Sequence, residues 1–579
     1  MERVRQWPRL CDAEHGRECR DRGVDALAIT SSDMLLIDVD RQCLCNATGT
    51  EEYLALSYVW GSLDQVLETR RDNLTQLHNP GALDFGGLGH RLPETVRDSM
   101  RLTKILHHRY LWVDRLCIVQ NDPQHLVSQL GSMAAIYAKA YFTIVAANGY
   151  DATFGLRGIG HGSNPRSYQQ QFLEILPECR LLHNRRLVSL NLTKYNSRGW
   201  TFQELLISRR LLIFSHEKIY WECHKCFWDE ELAEDEIQQP LKPPPHCNTL
   251  TIPTWPNISA YSNLVFEYTG RQLSFESDIQ NAFLAMIKAL TPSYGEFLFG
   301  LPESLFDICL LWMTDRDTQS ERRSLEESFP SWSWMGWRGQ PTLRFWNTNI
   351  SWRQELIRNP NVQVYSITDY YKIDRHTGER VLIKQNQVLV PNQAQAGPLR
   401  SVETLPPGWK HTTDTKAEAH YFLHENIPNE VFRLPFPLPT IPSNDGLNAY
   451  TTQIAFRSCR TQFRRSKEKD VLGNYSMLMN EAGETVGIIQ VCDENQDEDK
   501  CELVALSKAV DWEGDNCLMY EEQLKYEERA FRYGKEPYWY YNVMWIRWKG
   551  GMAYMKSLGR VLCLYWDSAT KEEVDIVLG

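Results

Sequence analysis

The sequence predicts an α/β N-terminal third, then a small helical segment, then a mostly antiparallel β region reaching the C-terminus. Three observations carry this. Short apolar runs alternate with helical patterns between residues 53 and 147, which implies parallel strands joined by right-handed helical crossovers. Residues 257–290 hold two amphipathic patterns. From Ser331 onward the pattern is that of strands, and many of the tryptophans fall after residue 300.

Taken in order, residues 1–52 read as a lead: a short helix followed by strands Met34–Val39 and Cys43–Cys45. Tyr53–Val59 is the next strand, ending in Trp60-Gly61. A helix opens at Pro93, a favoured first-turn residue, with Val96, Met100, Thr103 and Leu106 on one face. Strand Tyr110–Ile118, helix Leu126–Ala138 and strand Tyr141–Ala147 complete a β-α-β-α-β run. After Asn148 an irregular or hairpin-like insertion is expected, and then a helix capped by Ser197. Ligands bind outside the carboxyl ends of strands in sheets of this kind. Here those ends present Ser57, Trp60, Asp114, Cys117 and Asn148.

The α/β domain is set at 53–205, with strands and a linker over 206–250 (Leu211–Phe214, Lys218–Cys223, then an acidic and Pro-rich boundary). A helical segment is set at 251–329 and the β-rich region at 330–579. Its strands are read at Leu343–Trp352, Val362–Thr368, Val381–Lys384, Ile454–Ser458, Tyr475–Met479, Val486–Val491, Tyr541–Trp548 and Arg560–Trp566. Residues 391–449 carry many prolines and little periodicity, and read as a long loop or insertion.

The chain has 579 residues, 42% hydrophobic and 23% charged, which is the composition of a globular protein. A formal charge of -12 without a basic stripe disfavours nucleic acid or an anionic membrane as partner. The acidic run 493–499 reads as a solvated loop. No apolar leader and no long apolar run is present. Fifteen cysteines fit reduced thiols in a cytosolic or nuclear compartment better than a disulfide framework, and a cytoplasmic setting is expected.

Four segments together resemble the fungal heterokaryon-incompatibility (HET) domain. They are Tyr53-Leu-Ala-Leu-Ser-Tyr-Val-Trp-Gly61; Leu111-Trp-Val-Asp-Arg-Leu-Cys-Ile-Val-Gln120, introduced by Leu92-Pro-Glu-Thr95; Met133-Ala-Ala-Ile-Tyr137, leading to Val145-Ala-Ala147; and Ser197-Arg-Gly-Trp-Thr-Phe-Gln-Glu204. Trp7…Cys11…His15…Cys19, Pro330-Ser-Trp-Ser-Trp334 and Val543-Met-Trp-Ile546 resemble the flanks of proteins carrying that domain. The resemblance implies a role in non-self recognition and regulated cell death, with an unknown activating protein or ligand and self-association as an option.

The HET domain is in turn similar to the TIR fold, a parallel sheet flanked by helices, some members of which cleave NAD. Trp200 and Glu204 keep the TIR interval between a tryptophan and the catalytic glutamate, one helical turn. The resemblance therefore implies Glu204 as catalytic group, with Ser57, Trp60, Asp114 and Trp200 around the substrate. No cofactor is implied; NAD would be the substrate. The alternative is a non-catalytic signalling or oligomerisation module of the same fold. The four residues Ser57, Trp60, Asp114 and Glu204 are expected to share one cleft.

Each candidate has a plainer reading. Glu204 can simply pair with Arg198 or Arg209, and Asp114 with Arg115 or another arginine. Cys117 has no paired histidine in view and reads as a core thiol. Ser57 lacks a Gly-x-Ser-x-Gly context. Cys11, His15 and Cys19 fall four apart and with Cys43 or Cys45 would complete a tetrahedral set. The usual short Cys-x-x-Cys knuckles are absent from that group, and Cys223-His-Lys-Cys226 lacks a second pair at metal spacing. No metal site is therefore assigned. Trp332, Trp334 and Trp337 read as β-core.

Overall fold

Five consecutive residues, Tyr53–Ser57, form a strand with every side chain buried, and the N-terminal unit is built around it. The computed structural model describes residues 2–20, 34–47, 50–160, 172–176, 179–182, 190, 193–215, 218–230, 258–314, 321–323, 328–342, 362–383, 405, 407–414, 419–425, 427–432, 449–469, 475–491, 499–511 and 538–579. It divides into two units. One is Met1–Ile252 with Arg271–Ala289, the other Pro253–Gly270 with Leu290–Gly579.

In chain order the first unit holds α1 (Glu2–Arg20), β1 (Leu35–Asp38), β2 (Cys43–Asn46), β3 (Tyr53–Ser57), α2 (Glu94–Ile105), β4 (Tyr110–Trp112), α3 (Pro123–Lys139) and β5 (Thr143–Ala146). It continues with a separate hairpin, Phe172–Leu176 with Cys179–Leu182. Then come α4 (Gly199–Ile207), β6 (Arg210–Phe214), β7 (Ile219–Cys223) and β8 (Phe227–Asp229). One eight-stranded sheet runs β8-β7-β6-β5-β3-β4-β1-β2. Its four central strands are parallel: β3 pairs with β4 and with β5, and β5 pairs with β6. Antiparallel hairpins extend both edges. The expected neighbours β4, β3 and β5 are therefore side by side and parallel, within a sheet that is mixed overall.

The central strands are near-continuous apolar runs because helices cover both faces of a parallel sheet. Leu54, Leu56, Leu111, Trp112, Ile144 and Leu212 are all inaccessible to solvent. Aromatic rings lock the layers: Tyr137 of α3 meets Trp112 edge-on at 5.4 Å, and its hydroxyl donates to the Leu56 carbonyl at 3.0 Å.

Several boundaries differ from the sequence reading. The strand expected over Tyr110–Ile118 stops at Trp112, and Asp114–Cys117 makes one helical turn. The Leu116 and Cys117 amides fold back to the Val113 carbonyl, and Asp114 accepts the Arg115 amide, so local bonding replaces the ladder. The next helix starts earlier than expected, at Pro123, because the Asp122 carboxylate accepts the Gln124 and His125 amides. Pro93 sits outside α2 with extended backbone, so the helix begins at Glu94. Ser197 is not a cap: its hydroxyl donates to the Lys194 carbonyl at 2.8 Å, and Arg198 takes the N-cap position.

The second unit contains the first of the two expected helices, Ile258–Thr269; the other, Asn281–Tyr294, begins in the first unit. It also holds a ten-stranded, almost wholly antiparallel sheet. Its strands are Val362–Ser366, Tyr371–Asp374, Arg380–Leu382, Tyr450–Lys469, Tyr475–Met479, Thr485–Gln490, Lys500–Asp511, Tyr538–Lys549, Met552–Leu562 and Glu572–Leu578. The strand expected at Arg560–Trp566 ends at Leu562, and Cys563–Ser568 is helical. The strand expected at Leu343–Trp352, the part of the 206–250 linker from residue 231 onward and most of the acidic run lie outside the described residues. Within 391–449, read as a loop, Trp409–Asp414, Ala419–His424 and Ile427–Phe432 form a three-stranded antiparallel sheet. Those strands are six residues each and mix Lys, Thr, His, Asn and Glu with their apolar residues, in a stretch rich in prolines that read as a loop.

Trp332, Trp334 and Trp337 are core residues, although Trp334 lies in a tight helical turn and not on a strand. Their indole N–H groups donate to the Thr452 carbonyl, the Tyr261 hydroxyl and the Ser331 carbonyl. Among the described residues no helix is long and apolar enough to cross a membrane.

Ile144 sits opposite both Leu56 and Leu212 with no solvent contact. Ile144→Ala is expected to lower the stability of this unit by roughly 2–5 kcal/mol. Val127→Ala, at a position 71% exposed on α3, should change it by less than about 0.5 kcal/mol. Chemical denaturation followed by hydrogen exchange in β3–β6 measures both.

Candidate functional site

The carboxyl ends of the parallel strands bring together side chains from five stretches of chain. Ser57 closes β3, and its hydroxyl is fully buried. Glu204 comes from α4, a helix buried on nearly all sides. The Ser57 Oγ donates to Glu204 Oε2, and it lies 2.5 Å from the Tyr195 hydroxyl. All three groups are in the interior: Glu204 is 4% exposed, Ser57 and Tyr195 not at all.

The start of α4 is fixed by backbone contacts. Arg198 Nη1 donates to the Tyr58 carbonyl at 2.6 Å, tying the helix to the residue after β3. The Gly199 amide donates to the Gln272 carbonyl, and the Gln272 amide donates back to the Ser197 carbonyl. A Cβ on Gly199 would fall 2.4 Å from Leu273 Cδ2, so a side chain there would require the Leu273 side chain to shift. Arg271 braces the same corner, donating to Asn196 Oδ1 at 2.6 Å and lying over the Phe202 ring at 4.7 Å.

Trp60 and Asp114 make the second half of the site. The Trp60 indole N–H donates to Asp114 Oδ2 at 2.7 Å, and Asp114 Oδ1 accepts the Arg115 amide at 2.7 Å. The Arg115 guanidinium stacks over the Trp60 ring at 4.3 Å. Gly61, which follows Trp60, has a positive φ of 72°, and a Cβ there would lie 2.3 Å from Asp151 Cβ. The glycine is what lets the chain turn away just past Trp60.

The two halves are electrostatically joined. Burial pushes the Glu204 carboxyl up to about 7, and the nearby charge of Asp114 pushes in the same direction, against the hydrogen bond from Ser57 and the Arg198 charge. Burial also raises Asp114 above the ordinary carboxyl range. Two carboxyls that disfavour each other's ionisation are a recurring property of acid–base sites.

Ser57, Trp60, Asp114 and Glu204 thus belong to one polar cluster, in which Ser57 and Glu204 are buried and Trp60 and Asp114 half-buried. Glu204 makes no ion pair among the described residues, and neither does Asp114; hydrogen bonds from Ser57, Trp60 and a backbone amide take that role. Trp200 is oriented elsewhere. It packs on the main core, with its indole N–H 3.4 Å from Asp278 Oδ2. Cys117 is fully buried, its thiol pushed upward by burial, as befits a core thiol. Asn148 donates to the Ser215 carbonyl.

Tyr195 and Tyr137 belong to the cluster and were not singled out from the sequence, whereas Arg198 was read as an ion-pair partner of Glu204 and instead donates to the Tyr58 carbonyl. Arg198 was in plain view inside the Ser197–Glu204 segment. Tyr137 read as one more residue of an apolar helix face, and nothing local marked Tyr195.

Residues 53–204 match the family model described as Heterokaryon incompatibility protein (HET), so this stretch is a HET domain. It spans the chain from the first residue of β3 to Glu204 itself. No curated protein and no solved structure matches the chain.

A carboxyl raised by folding binds a proton more tightly in the native state than in the unfolded one. Stability is therefore lost as pH rises from the ordinary value of 4.5 through about 7. The loss should reach up to about 3 kcal/mol. Glu204→Gln keeps the contact with Ser57 and should abolish this part of the pH dependence, so that the variant is the more stable protein at pH 8. Denaturation curves of both proteins between pH 4 and 8 check this.

Proposed function

We propose that this chain, which carries a HET domain, is a heterokaryon-incompatibility-type effector of non-self recognition and regulated cell death, and that it acts by cleaving NAD with Glu204. The domain supports the role. The chemistry is supported by one observation: Glu204 shares the strand-end cluster with Ser57, Trp60 and Asp114, and burial holds its carboxyl near neutrality. Likeness of the HET domain to TIR domains supplies the reaction class by analogy.

The reaction needs few groups. The bond between ribose C1′ and the nicotinamide nitrogen breaks, and its electron pair leaves with the ring. Because the ring nitrogen is already cationic, no proton has to be delivered to it. Water adds its oxygen to C1′ and gives up a proton. Ionised Glu204 stabilises the oxocarbenium-like ribose and accepts that proton, as a carboxylate does in glycoside hydrolysis. Trp60, already stacked with Arg115, offers a ring face to wall the substrate.

A second reading is a non-catalytic signalling or self-assembling module of the same fold. The burial of Ser57 and Glu204 favours it, because a ligand reaches the carboxyl only after the cluster opens.

The two readings separate in cells and in the tube. Expression at high level in a fungal cell is expected to kill, with NAD falling before viability. Glu204→Gln should abolish both while the protein stays folded, since a lost electrostatic contribution of this kind costs on the order of 10²–10³ in rate. With purified protein, kcat/KM for nicotinamide release should rise with pH through about 7 as Glu204 ionises. Killing with steady NAD, or by a folded Glu204→Gln variant, would exclude the catalytic reading and leave the signalling one.

A further inference from the structure

A second cluster stands at the β8 edge of the same sheet. Cys11 and His15 of α1 are one helical turn apart and share a face. The helix breaks at Gly16, whose backbone (φ 44°, ψ -123°) is not helical, and the turned chain brings Cys19 back beside them. Cys223 arrives from the end of β7, some two hundred residues later. The ligand atoms of Cys11, His15, Cys19 and Cys223 all lie within 4.8 Å of one another. Cys43 and Cys45, the partners the sequence suggested, lie on β2 at the opposite edge of the sheet.

We infer that Cys11, His15, Cys19 and Cys223 bind one zinc ion as a closed, tetrahedral, structural site. Cys223 Sγ lies 3.5 Å from His15 Nδ1. Zinc bonds of about 2.3 Å to sulfur and 2.0–2.1 Å to nitrogen give a tetrahedron with S···N edges of about 3.5 Å and S···S edges of about 3.8 Å. The donor set is soft thiolate with imidazole, which selects zinc over the hard cations. The three ligand thiols have no solvent contact. With all four positions filled by protein, the centre has no room for a substrate.

The surroundings suit an ion. The His15 ring stacks on Trp228 at 5.8 Å and 21°, which fixes its plane. Cys226 Sγ, 3.4 Å from Cys223 Sγ, is placed to donate a hydrogen bond to that thiolate without itself being a ligand. On binding, three thiols release three protons, and Zn²⁺ with three thiolates and a neutral imidazole leaves a net charge of -1. The bound ion clips α1 to the β7–β8 hairpin, and this role is independent of Glu204.

The test is metal content of the full chain purified without chelator. About one zinc per chain is expected, and cobalt(II) exchanged into the site should show the visible bands of tetrahedral thiolate coordination. Cys223→Ser and Cys19→Ser should each lose the zinc, while Cys43→Ser and Cys226→Ser keep it. Stripping the zinc with a strong chelator should lower the melting temperature of the parent, and adding zinc back should restore it; this arm needs no variant to fold. A zinc-free parent with all these thiols freely titratable would overturn the site, as would a Cys223–Cys226 disulfide in the protein as isolated. Retention of zinc by Cys223→Ser, or its loss from Cys226→Ser alone, would overturn the ligand set.

Discussion

A carboxyl buried at the end of a parallel sheet has to be satisfied by whatever surrounds it, and at Glu204 that requirement organises the N-terminal unit. The hydroxyl that meets it, Ser57, is the last residue of the central strand. The helix that delivers it is tied to β3 by Arg198 and to the chain near Gln272 by a two-way backbone bridge. A buried unpaired acid would cost several kcal/mol, so strand, helix and bridge have to be in place together. The HET match covers this same stretch, from Tyr53 to Glu204.

Much of the parallel core was legible, because β3, β4 and β5 are apolar runs separated by helices of crossover length, and such a pattern has few topological solutions. What the pattern hides is where bonding turns local. Val113-Asp114-Arg115-Leu116-Cys117 reads as a continuing strand, yet one carboxylate accepting the next amide is enough to curl it. The antiparallel edges were harder. β8 is three residues long, and nothing in Phe227-Trp228-Asp229 announces which strand it joins. In the second unit the sheet within 391–449 was missed because its short strands lie among many prolines, while Lys500–Asp511 and Glu572–Leu578 were passed over beside more obvious neighbours.

In the strand-end cluster, the members that lie in motif segments were visible in the sequence and Tyr195 was not. Ser57, Trp60, Asp114 and Glu204 sit in recognisable segments. Tyr195 enters only because folding sets its hydroxyl against Ser57, 138 positions away. Trp200 shows the converse: helical spacing placed it one turn from Glu204, but its indole is aimed at Asp278. Spacing along a helix fixes a face, and the packing of that helix decides what the face meets. The same limit applies to the cysteines, where local spacing found three members and long-range pairing supplied the fourth.

The N-terminal helix is held by residues from across the unit, several of them some two hundred positions away. Arg3 donates to the Glu230 carbonyl, Asp12 pairs with Arg210 and accepts the Tyr141 hydroxyl, and His15 stacks on Trp228. A ribosome adds roughly 5–20 residues each second, so α1 leaves the exit tunnel roughly ten to forty seconds before the β7–β8 hairpin exists. During that interval Arg3, Asp12 and His15 lack the partners that Glu230, Arg210 and Trp228 supply. This segment therefore completes its native contacts only once the β7–β8 hairpin has been made.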